Sequence, residues 1–568
     1  MTHYHISYQN PLTHLIDIEI SISNLTTPTI ELQLPAWRPG RYELQNYAAN
    51  LKRVVAFDEN NLRISCSKIS RNRWKIDNNE HQKIKIHYQY YAYQMDAGAC
   101  WLDDEQLYLN FICCLLYVPE KINEPCSVQL SLPEDYRLAC GLPKKGHLLS
   151  AENFYHLADS PMIASASLTH LEFECRDTLF HIWIQGENPI NQERILSDFR
   201  KFTEVQINTM GNFPEKEYHY LFQFLPYRHY HGVEHRNSTV ITLGPAEYIA
   251  DKGYEDLLGI SSHELFHAWN IIKIRPIEMM PYDFTKENYF NTGYVAEGFT
   301  TYYGDLFLVR SGVISKDDYF NELNTTFKKH FGHTGNYNLS LAESSNDLWV
   351  DGYVAGIPNR KVSIYVKGCL AALILDLEIR ENTGNERSLD DLMLVLWNEF
   401  GKKGKGYSHQ DIVNAVEKIT KKDMSNFFNE CIIGRTDMKD RLSKALKTAG
   451  CMLQEHFSSI TTEKDYGFRY VYRNNKLIIE FIAENSPAEK FLSKDDEILT
   501  INNQPISENL NDTIFIENEL TLSIKRWGRI LTVQLTANKK ENYFTEYTIR
   551  LNPEAGIIEK ENFEMWLS

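Results

Sequence analysis

The sequence has no long apolar run and no excess of basic residues. Its apolar run from Cys369 to Leu375 ends at Asp376, far short of the ~18 residues that a membrane span needs. Its first residues show no basic stretch followed by an apolar one, so we expect no leader peptide. With 59 Lys and Arg against 76 Asp and Glu, the net charge of −17 repels phosphate backbones and anionic lipid. We therefore expect neither nucleic acid nor a membrane as a partner.

Cysteine, glycine and proline are also sparse. The 10 cysteines show no C-x-x-C spacing, so we predict reduced, mostly buried thiols and a cytoplasmic location. The 28 Gly and 19 Pro are too few for a collagen-like or low-complexity chain. At about 100–200 residues per domain, the 568 residues predict several globular domains.

The hydrophobic period changes along the chain. Up to about residue 170, apolar residues such as those at 16, 18, 20 and 22 alternate with polar ones, which predicts an antiparallel β domain with one wet face. Helical spacing begins at about residue 190, an aromatic-rich strand is predicted from Tyr218 to Leu225, and helical patterns dominate from Leu257 to about Ala449. After Cys451 the alternation returns. We predict an α+β multidomain protein: an N-terminal β domain over 1–170, a mixed and mainly helical domain over 171–452, a β-rich module over 453–540 and a tail over 541–568.

The segment 261–270 contains the pattern H-E-x-x-H within a helical stretch. His263 and His267 then lie on one helical face, about 40° apart, so both imidazoles can reach one Zn²⁺ at ~2.0–2.1 Å. Glu264, one residue along, can approach a water molecule on that metal. The alternative is two exposed histidines beside a solvated glutamate.

Glu297 is the candidate for the third zinc ligand. It lies among apolar and aromatic residues in the segment 293–303, which is predicted to be a helix, and a buried carboxylate without a partner is costly. One Zn²⁺ per chain would satisfy it and keep a position open for water or substrate. The alternative is a glutamate that stabilises the start of its helix.

Peptide hydrolysis also requires a donor for the oxyanion. Among 33 tyrosines, Tyr365 leads into the apolar helix that starts near Cys369, where a phenol would be held in place. The alternative is a tyrosine packed in the core.

These motifs, with Glu297-Gly298 and Tyr365-x-Lys367-Gly368, resemble zinc peptidases with a thermolysin-like catalytic domain. Together with the segments 34–42 and 274–276 and the C-terminal module, they resemble the glycyl aminopeptidase family, which joins a β domain, a catalytic domain and a PDZ domain. The resemblance implies zinc on His263, His267 and Glu297, with Glu264 as general base and Tyr365 as transition-state donor. It implies removal of Gly or Ala from peptides with a free N-terminus, by attack of metal-activated water.

The segment Gly232-Val233-Glu234-His235 resembles the family's substrate-binding edge strand. The resemblance implies that Glu234 pairs with the substrate α-ammonium, so that only the first peptide bond reaches the zinc. Aminopeptidase N relatives carry Asn after this Glu, whereas this chain has His235. The alternative for Glu234 is a plain surface acid.

The segments 466–468, 486–488 and 495–505 resemble a PDZ domain, which can capture the C-terminus of a peptide or protein. Few residues lie between Ile506 and the strand that begins at Leu520, so we predict a short groove helix and favour a structural or gating role. Two alternative functions stay open for the whole chain: a zinc endopeptidase, or a catalytically idle PDZ-type scaffold. The residues of the specificity pocket and the oligomeric state have no sequence signal.

Overall fold

The computed structural model describes residues 2–79, 81–332, 334–354, 356–506 and 518–568, with the backbone alone at 334 and 336. By its contacts the chain divides into two units. The first comprises Met1–Tyr319, Asn336–Met438 and Glu564–Ser568, and the second comprises Phe320–Gly335 and Lys439–Phe563. The four domain boundaries predicted from the sequence stay predictions.

The N-terminal part of the first unit is a β domain, as predicted. Ile16, Ile18, Ile20 and Ile22 are buried in β2, and the polar residues between them are half-buried, because successive side chains of a strand point to opposite faces. The larger sheet has the order β12-β13-β10-β1-β2-β7-β4-β5-β6-β3, and the smaller has β11-β14-β9-β8. Their neighbours are antiparallel except for β1 and β10. The strands are β1 (Thr2–Ser7), β2 (Leu15–Ser23), β3 (Thr29–Gln33), β4 (Leu51–Asp58), β5 (Arg63–Ser70), β6 (Arg73–Asp77), β7 (Lys83–Tyr91), β8 (Trp101–Leu102), β9 (Gln106–Leu109), β10 (Cys126–Leu130), β11 (Arg137–Cys140), β12 (Lys144–Lys145), β13 (Leu148–Ala151) and β14 (Met162–Ser165).

A mixed sheet and a set of helices form the rest of the first unit. The sheet has the order β15-β16-β17-β19-β18, with β16, β17 and β19 parallel to one another. Its strands are β15 (Thr169–Cys175), β16 (Thr178–Gln185), β17 (Glu217–Phe224), β18 (His229–His235) and β19 (Ser238–Gly244). The aromatic-rich strand predicted near Tyr218 is β17. Within the described residues β18 pairs only with β19, which leaves it at the edge of the sheet.

The middle region is mainly helical, as predicted. The α-helices of the described residues are α1 (Phe111–Cys114), α2 (Phe154–Ala158), α3 (Gln192–Met210), α4 (Ala246–Ile249), α5 (Gly253–Phe266), α6 (Thr300–Arg310), α7 (Lys316–Phe331), α8 (Leu341–Asn346), α9 (Leu348–Asp351), α10 (Val366–Thr383), α11 (Leu389–Glu399), α12 (His409–Thr420), α13 (Ser425–Phe427), α14 (Lys439–Thr448) and α15 (Ile557–Trp566). Wider π-helical turns cover Tyr294–Phe299, Phe428–Ile432 and Thr462–Tyr466. Short 3-10 turns cover Pro11–Thr13, Tyr47–Asn50, Pro119–Lys121, Ile277–Met279, Thr334–Tyr337, Gly401–Lys403 and Ala488–Lys490.

The second unit is rich in antiparallel strands. They are β20 (Cys451–Phe457), β21 (Phe468–Arg473), β22 (Lys476–Ile482), β23 (Glu497–Ile501), β24 (Gln504–Pro505), β25 (Glu519–Arg526), β26 (Arg529–Thr536) and β27 (Thr545–Leu551). One sheet has the order β21-β22-β23-β25-β26, and β20 pairs with β27. Most of the segment predicted to hold a groove helix, residues 507–517, lies outside the described residues.

Two further expectations concern the redox state of the cysteines and helices that could span a membrane. None of the 10 cysteines forms a disulfide bond and nine of them are buried, as predicted for reduced thiols. Among the described residues, none of the helices combines the length and apolarity that crossing a membrane requires. The cytoplasmic location stays a prediction.

Candidate active site

The H-E-x-x-H pattern lies at the C-terminal end of α5, which packs against β18 and β19. The rings of His263 and His267 are 4.6 Å apart and nearly perpendicular, and their Nε2 atoms are 3.0 Å apart. His267 Nδ1 lies 2.9 Å from the carbonyl oxygen of Asn270. Because a carbonyl only accepts, Nδ1 donates its hydrogen there, and in the neutral ring this leaves the lone pair of Nε2 for a ligand.

Glu297 reaches the same point from the following helix. Its Oε2 is 3.3 Å from His267 Nε2 and 3.8 Å from His263 Nε2. The predicted helix here is a π-helical turn followed by α6. Asn270 Nδ2 donates to the carbonyl of Val295 at 2.7 Å and to Thr300 Oγ1 at 2.9 Å. A side chain that inserts into the backbone hydrogen bonds of a helix in this way favours such a wider turn.

Two glycines bring the glutamate helix against α10. A Cβ on Gly298 would lie 2.4 Å from the Cα of Gly368, so only a residue without a side chain fits at this crossing. The motifs Glu297-Gly298 and Lys367-Gly368 therefore share one physical reason: they let the two helices touch. This contact brings Tyr365, at the start of α10, next to Glu297.

The three candidate ligand atoms fit one metal ion. Their separations of 3.0, 3.3 and 3.8 Å scatter around the ~3.3–3.4 Å that tetrahedral zinc with bonds of ~2.0–2.1 Å requires. The side chain of His263 is 18% exposed, whereas those of His267 and Glu297 are 2% and 3% exposed. Water or substrate therefore has access from the side of His263.

The electrostatics of the cluster also favour a cation. The carboxylates Glu234, Glu264 and Glu297 are all buried, and Glu234 Oε1 and Glu264 Oε2 have no hydrogen-bond partner among the described residues. Burial raises the pKa of Glu264 well above its usual value, and Glu234 and Glu297 add to this. Burial alone would lower the pKa of His267, but the carboxylates, Glu297 first, raise it to about 10. A divalent cation would supply the positive charge that these groups share.

Glu264 and Glu234 both face the edge strand β18. A Cβ on Gly232 would lie 2.3 Å from Glu264 Oε1, so the glycine lets β18 lie directly against this carboxylate. Glu234 has a ligand oxygen within 4.8 Å of ligand atoms of both Glu264 and His267. Burial raises the pKa of Glu234. The structure thus brings Gly232 and Glu234 to the same cluster as the metal-ligand candidates.

A segment of the β domain covers this end of β18. Gly40, with a φ of +76°, lies so close to Glu234 that a Cβ there would be 2.6 Å from Oε2. His235, the departure from the aminopeptidase N pattern, points elsewhere: its Nδ1 is 2.9 Å from Asp159 Oδ1. The segment 34–42 therefore contributes directly to the candidate site.

Three phenols surround the cluster. Burial raises the pKa of Tyr365 well above its usual value, with further contributions from Glu297, Tyr353 and Tyr42. Tyr42 has its pKa raised by burial and then by Glu297 and Glu234, and Tyr353 Oη lies 3.3 Å from the backbone nitrogen of Tyr42. The sequence reasoning selected Tyr365 and missed the other two. Tyr42 follows the segment Trp37–Arg41 directly and could have been proposed, whereas nothing in the sequence distinguishes Tyr353.

Two family models match parts of this chain. Residues 3–166 match the family model of the Peptidase M61 N-terminal domain, and residues 256–371 match that of M61 glycyl aminopeptidase. This chain is a member of the M61 glycyl aminopeptidase family. The family predicted from the motifs is therefore confirmed, and the chain is a peptidase.

A solved structure with a high TM-score has the same fold as this chain. The crystal structure of an aminopeptidase N family protein from Idiomarina loihiensis is similar over 100% of both chains, with 26% identity and a TM-score of 0.92. A variant of the M1 zinc metallopeptidase of Deinococcus radiodurans bound to a Tyr-Ser-Ala substrate is more distant, with 13% identity over 77% of this chain and 94% of that one and a TM-score of 0.49. A comparison with curated proteins found no match.

Proposed function

We propose that this M61 peptidase is a zinc-dependent aminopeptidase that removes small N-terminal residues, Gly or Ala, from peptides with a free N-terminus. The observation that carries the proposal is the convergence of His263, His267 and Glu297 on one point, with Glu264 and Glu234 in the same buried cluster. Two imidazoles and one carboxylate are the ligands of hydrolytic zinc sites, which keep one position open. One ion per chain fits this set.

Zinc held by these residues supplies Lewis acidity, which polarises a carbonyl and lowers the pKa of water. Glu264 accepts the proton of the attacking water and passes it to the leaving amine. Its raised pKa, caused first by burial, suits a group that must bind a proton in one step and release it in the next. No covalent bond between enzyme and substrate is needed.

Tyr365 donates a hydrogen bond to the oxyanion. Because burial raises the pKa of its hydroxyl, the phenol keeps its hydrogen at neutral pH and remains a donor. Its place at the start of α10, on the Gly298–Gly368 contact, fixes it relative to Glu297.

Glu234 pairs with the substrate α-ammonium, which limits cleavage to the first peptide bond. Its carboxylate has an unpartnered oxygen among the described residues, and β18 is a sheet edge on which an extended peptide can add a strand. The crowding of Gly40, Tyr42 and Tyr353 around Glu234 supports a pocket for a small first side chain.

We also propose that residues 453–540 form a PDZ-like domain with a structural or gating role. The antiparallel sheet β21-β22-β23-β25-β26 and its buried core support this fold. Capture of a C-terminal peptide by this domain is the function that the idle-scaffold alternative requires.

One experiment separates the three functions. Zinc content is measured beside cleavage of Gly- and Ala-arylamides and of their N-acetylated forms. Stoichiometric zinc with cleavage of the free-amine substrates alone supports the aminopeptidase. Equal cleavage of N-acetylated peptides would favour the endopeptidase, and absence of zinc together with affinity for C-terminal peptides would favour the scaffold.

Glu264→Gln tests the assigned base. The variant should lose about 10²–10⁴-fold in kcat while it keeps its zinc, since Glu264 is not among the three ligands. Glu255→Gln, at an exposed position in the first turn of the same helix, is the matched control and should keep full activity. Retained turnover in Glu264→Gln would refute the assignment.

A further inference from the structure

A second group of potential metal ligands lies on the mixed sheet, away from the proposed catalytic centre. Glu172 on β15 pairs with His181 on β16, which pairs with His219 on β17. His219 follows Tyr218, whose Oη lies 3.2 Å from the carbonyl of Glu264 on the α5 side. Because neighbouring residues of a strand point to opposite faces, the histidine row occupies the other face of the sheet.

Three ligand atoms of this row lie as close together as those of the proposed catalytic cluster. His170 Nε2 is 2.9 Å from His181 Nδ1, and Glu172 Oε2 is 3.8 Å from the former and 3.6 Å from the latter. These separations again scatter around the ~3.3–3.4 Å of tetrahedral ligands. The side chains are 19%, 11% and 57% exposed for His170, His181 and Glu172, so an ion can reach them from solvent.

His219 is not a fourth ligand. Trp183 Nε1 lies 3.2 Å from its Nδ1, and because an indole N–H only donates, Nδ1 accepts. In the neutral ring the hydrogen then resides on Nε2, 3.7 Å from Glu217 Oε2. The remaining position around an ion at the other three residues is left for water.

Two basic side chains lie near the row. Arg137 and Lys144 lie over the ring of Trp183 at 5.5 and 5.7 Å and oppose a cation. The carboxylates of Glu172 and Glu217, which lie beside His181 and His219, offset their charge.

We propose that His170, Glu172 and His181 bind a second divalent transition-metal ion, such as Zn²⁺, separate from the catalytic centre. Two imidazoles and a carboxylate select such an ion over Mg²⁺ or Ca²⁺, which prefer oxygen ligands. Its ligands join the edge strand β15 to β16, so the ion would hold this edge of the sheet in place.

The test counts metal ions in the full-length protein. Wild type titrated with Zn²⁺ in a calorimeter should bind two equivalents, and the double variant His170→Gln, His181→Gln should bind one fewer. His456→Gln, at an exposed histidine on β20 bonded to Thr548, is the matched control and should bind as wild type does. Mg²⁺ should not occupy the second site.

A milder variant and an activity assay complete the design. Glu172→Gln removes an exposed ligand without risk to folding, and it should weaken the second site by more than about 100-fold, since loss of even an outer-shell partner costs roughly 10–100-fold. Cleavage of Ala-arylamide should stay at the wild-type level. The proposal is overturned if the double variant binds as many Zn²⁺ ions as wild type, or if Glu172→Gln leaves the affinity unchanged. This count is a difference between variants, so it stands or falls independently of the proposed activity.

Discussion

Replacing Gly232 by alanine would displace the carboxylate of the proposed catalytic base, Glu264, without substituting a proposed metal ligand. The new Cβ would lie 2.3 Å from Oε1 and 2.8 Å from Cδ of Glu264, where ordinary contacts begin at 3.4 Å. The carboxylate must therefore retreat by roughly 1 Å. The obstructing atoms form the end of a flexible side chain, so the carboxylate moves and the backbone of β18 stays in place.

The expected loss follows from that displacement. A misplacement of ~1 Å in a catalytic arrangement costs about 10²-fold in rate. We expect kcat of Gly232→Ala to fall by roughly 100-fold, which corresponds to about 2.7 kcal/mol in the activation barrier. Zinc content should be unchanged because the three atoms nearest to the new Cβ all belong to Glu264, which is not one of the proposed ligands.

The assay compares kcat for Ala-arylamide, zinc content and melting temperature with those of Gly259→Ala on α5. At Gly259 the nearest atom to a new Cβ is Asp305 Oδ1 at 3.7 Å, so the control should keep its kcat and gain about 0.5–1 kcal/mol in unfolding free energy. A Gly232→Ala enzyme that retains zinc and wild-type kcat would refute the placement of Glu264 against β18 or its role as base. Loss of zinc would show that the change spreads to the ligands.

Three further predictions test other parts of the site. Tyr365→Phe should lower kcat by about 10²–10³-fold with KM little changed. An unchanged kcat would show that Tyr365 only packs in the core. Glu234→Gln should lower kcat/KM for free-amine substrates by roughly 10–100-fold, the value of a charged hydrogen bond, while N-acetylated substrates stay uncleaved; an unchanged kcat/KM would contradict amino-group recognition. Burial lowers the pKa of Lys367 to about 8 from 10.5, so between these values the unfolded chain binds more protons and the stability of wild type rises with pH. In urea unfolding, the free energy of unfolding of wild type relative to that of Lys367→Met should therefore increase by up to about 3 kcal/mol between pH 8 and 10.5. A constant difference over this range would contradict the lowered pKa of Lys367.

Local patterns in the sequence predicted most of the secondary structure. The alternation of Ile16 to Ile22 predicted β2, and the return of alternation after Cys451 predicted the strands of the second unit, because each pattern depends only on near neighbours. The spacing of His263 and His267 predicted one helical face for the same reason. The contact between Gly40 and Glu234 had no such signal, since it joins a turn in the segment 34–42 to β18, and the two are distant in sequence. The sequence does not distinguish Tyr353 from the other tyrosines, 33 in all, because only the folded chain brings it beside Tyr42.

The two histidine clusters show why one proposed site could be predicted from the sequence and the other could not. On a helix, residues four apart share a face, so a pair of ligands appears as one short motif. On a sheet, His170 and Glu172 share a face through the two-residue period, but His181 joins them only through the register of β15 with β16. A shift of one residue in that register would send His181 to the opposite face. A metal site built across strands thus depends on pairing that no local pattern encodes, and it becomes visible only once the register is known.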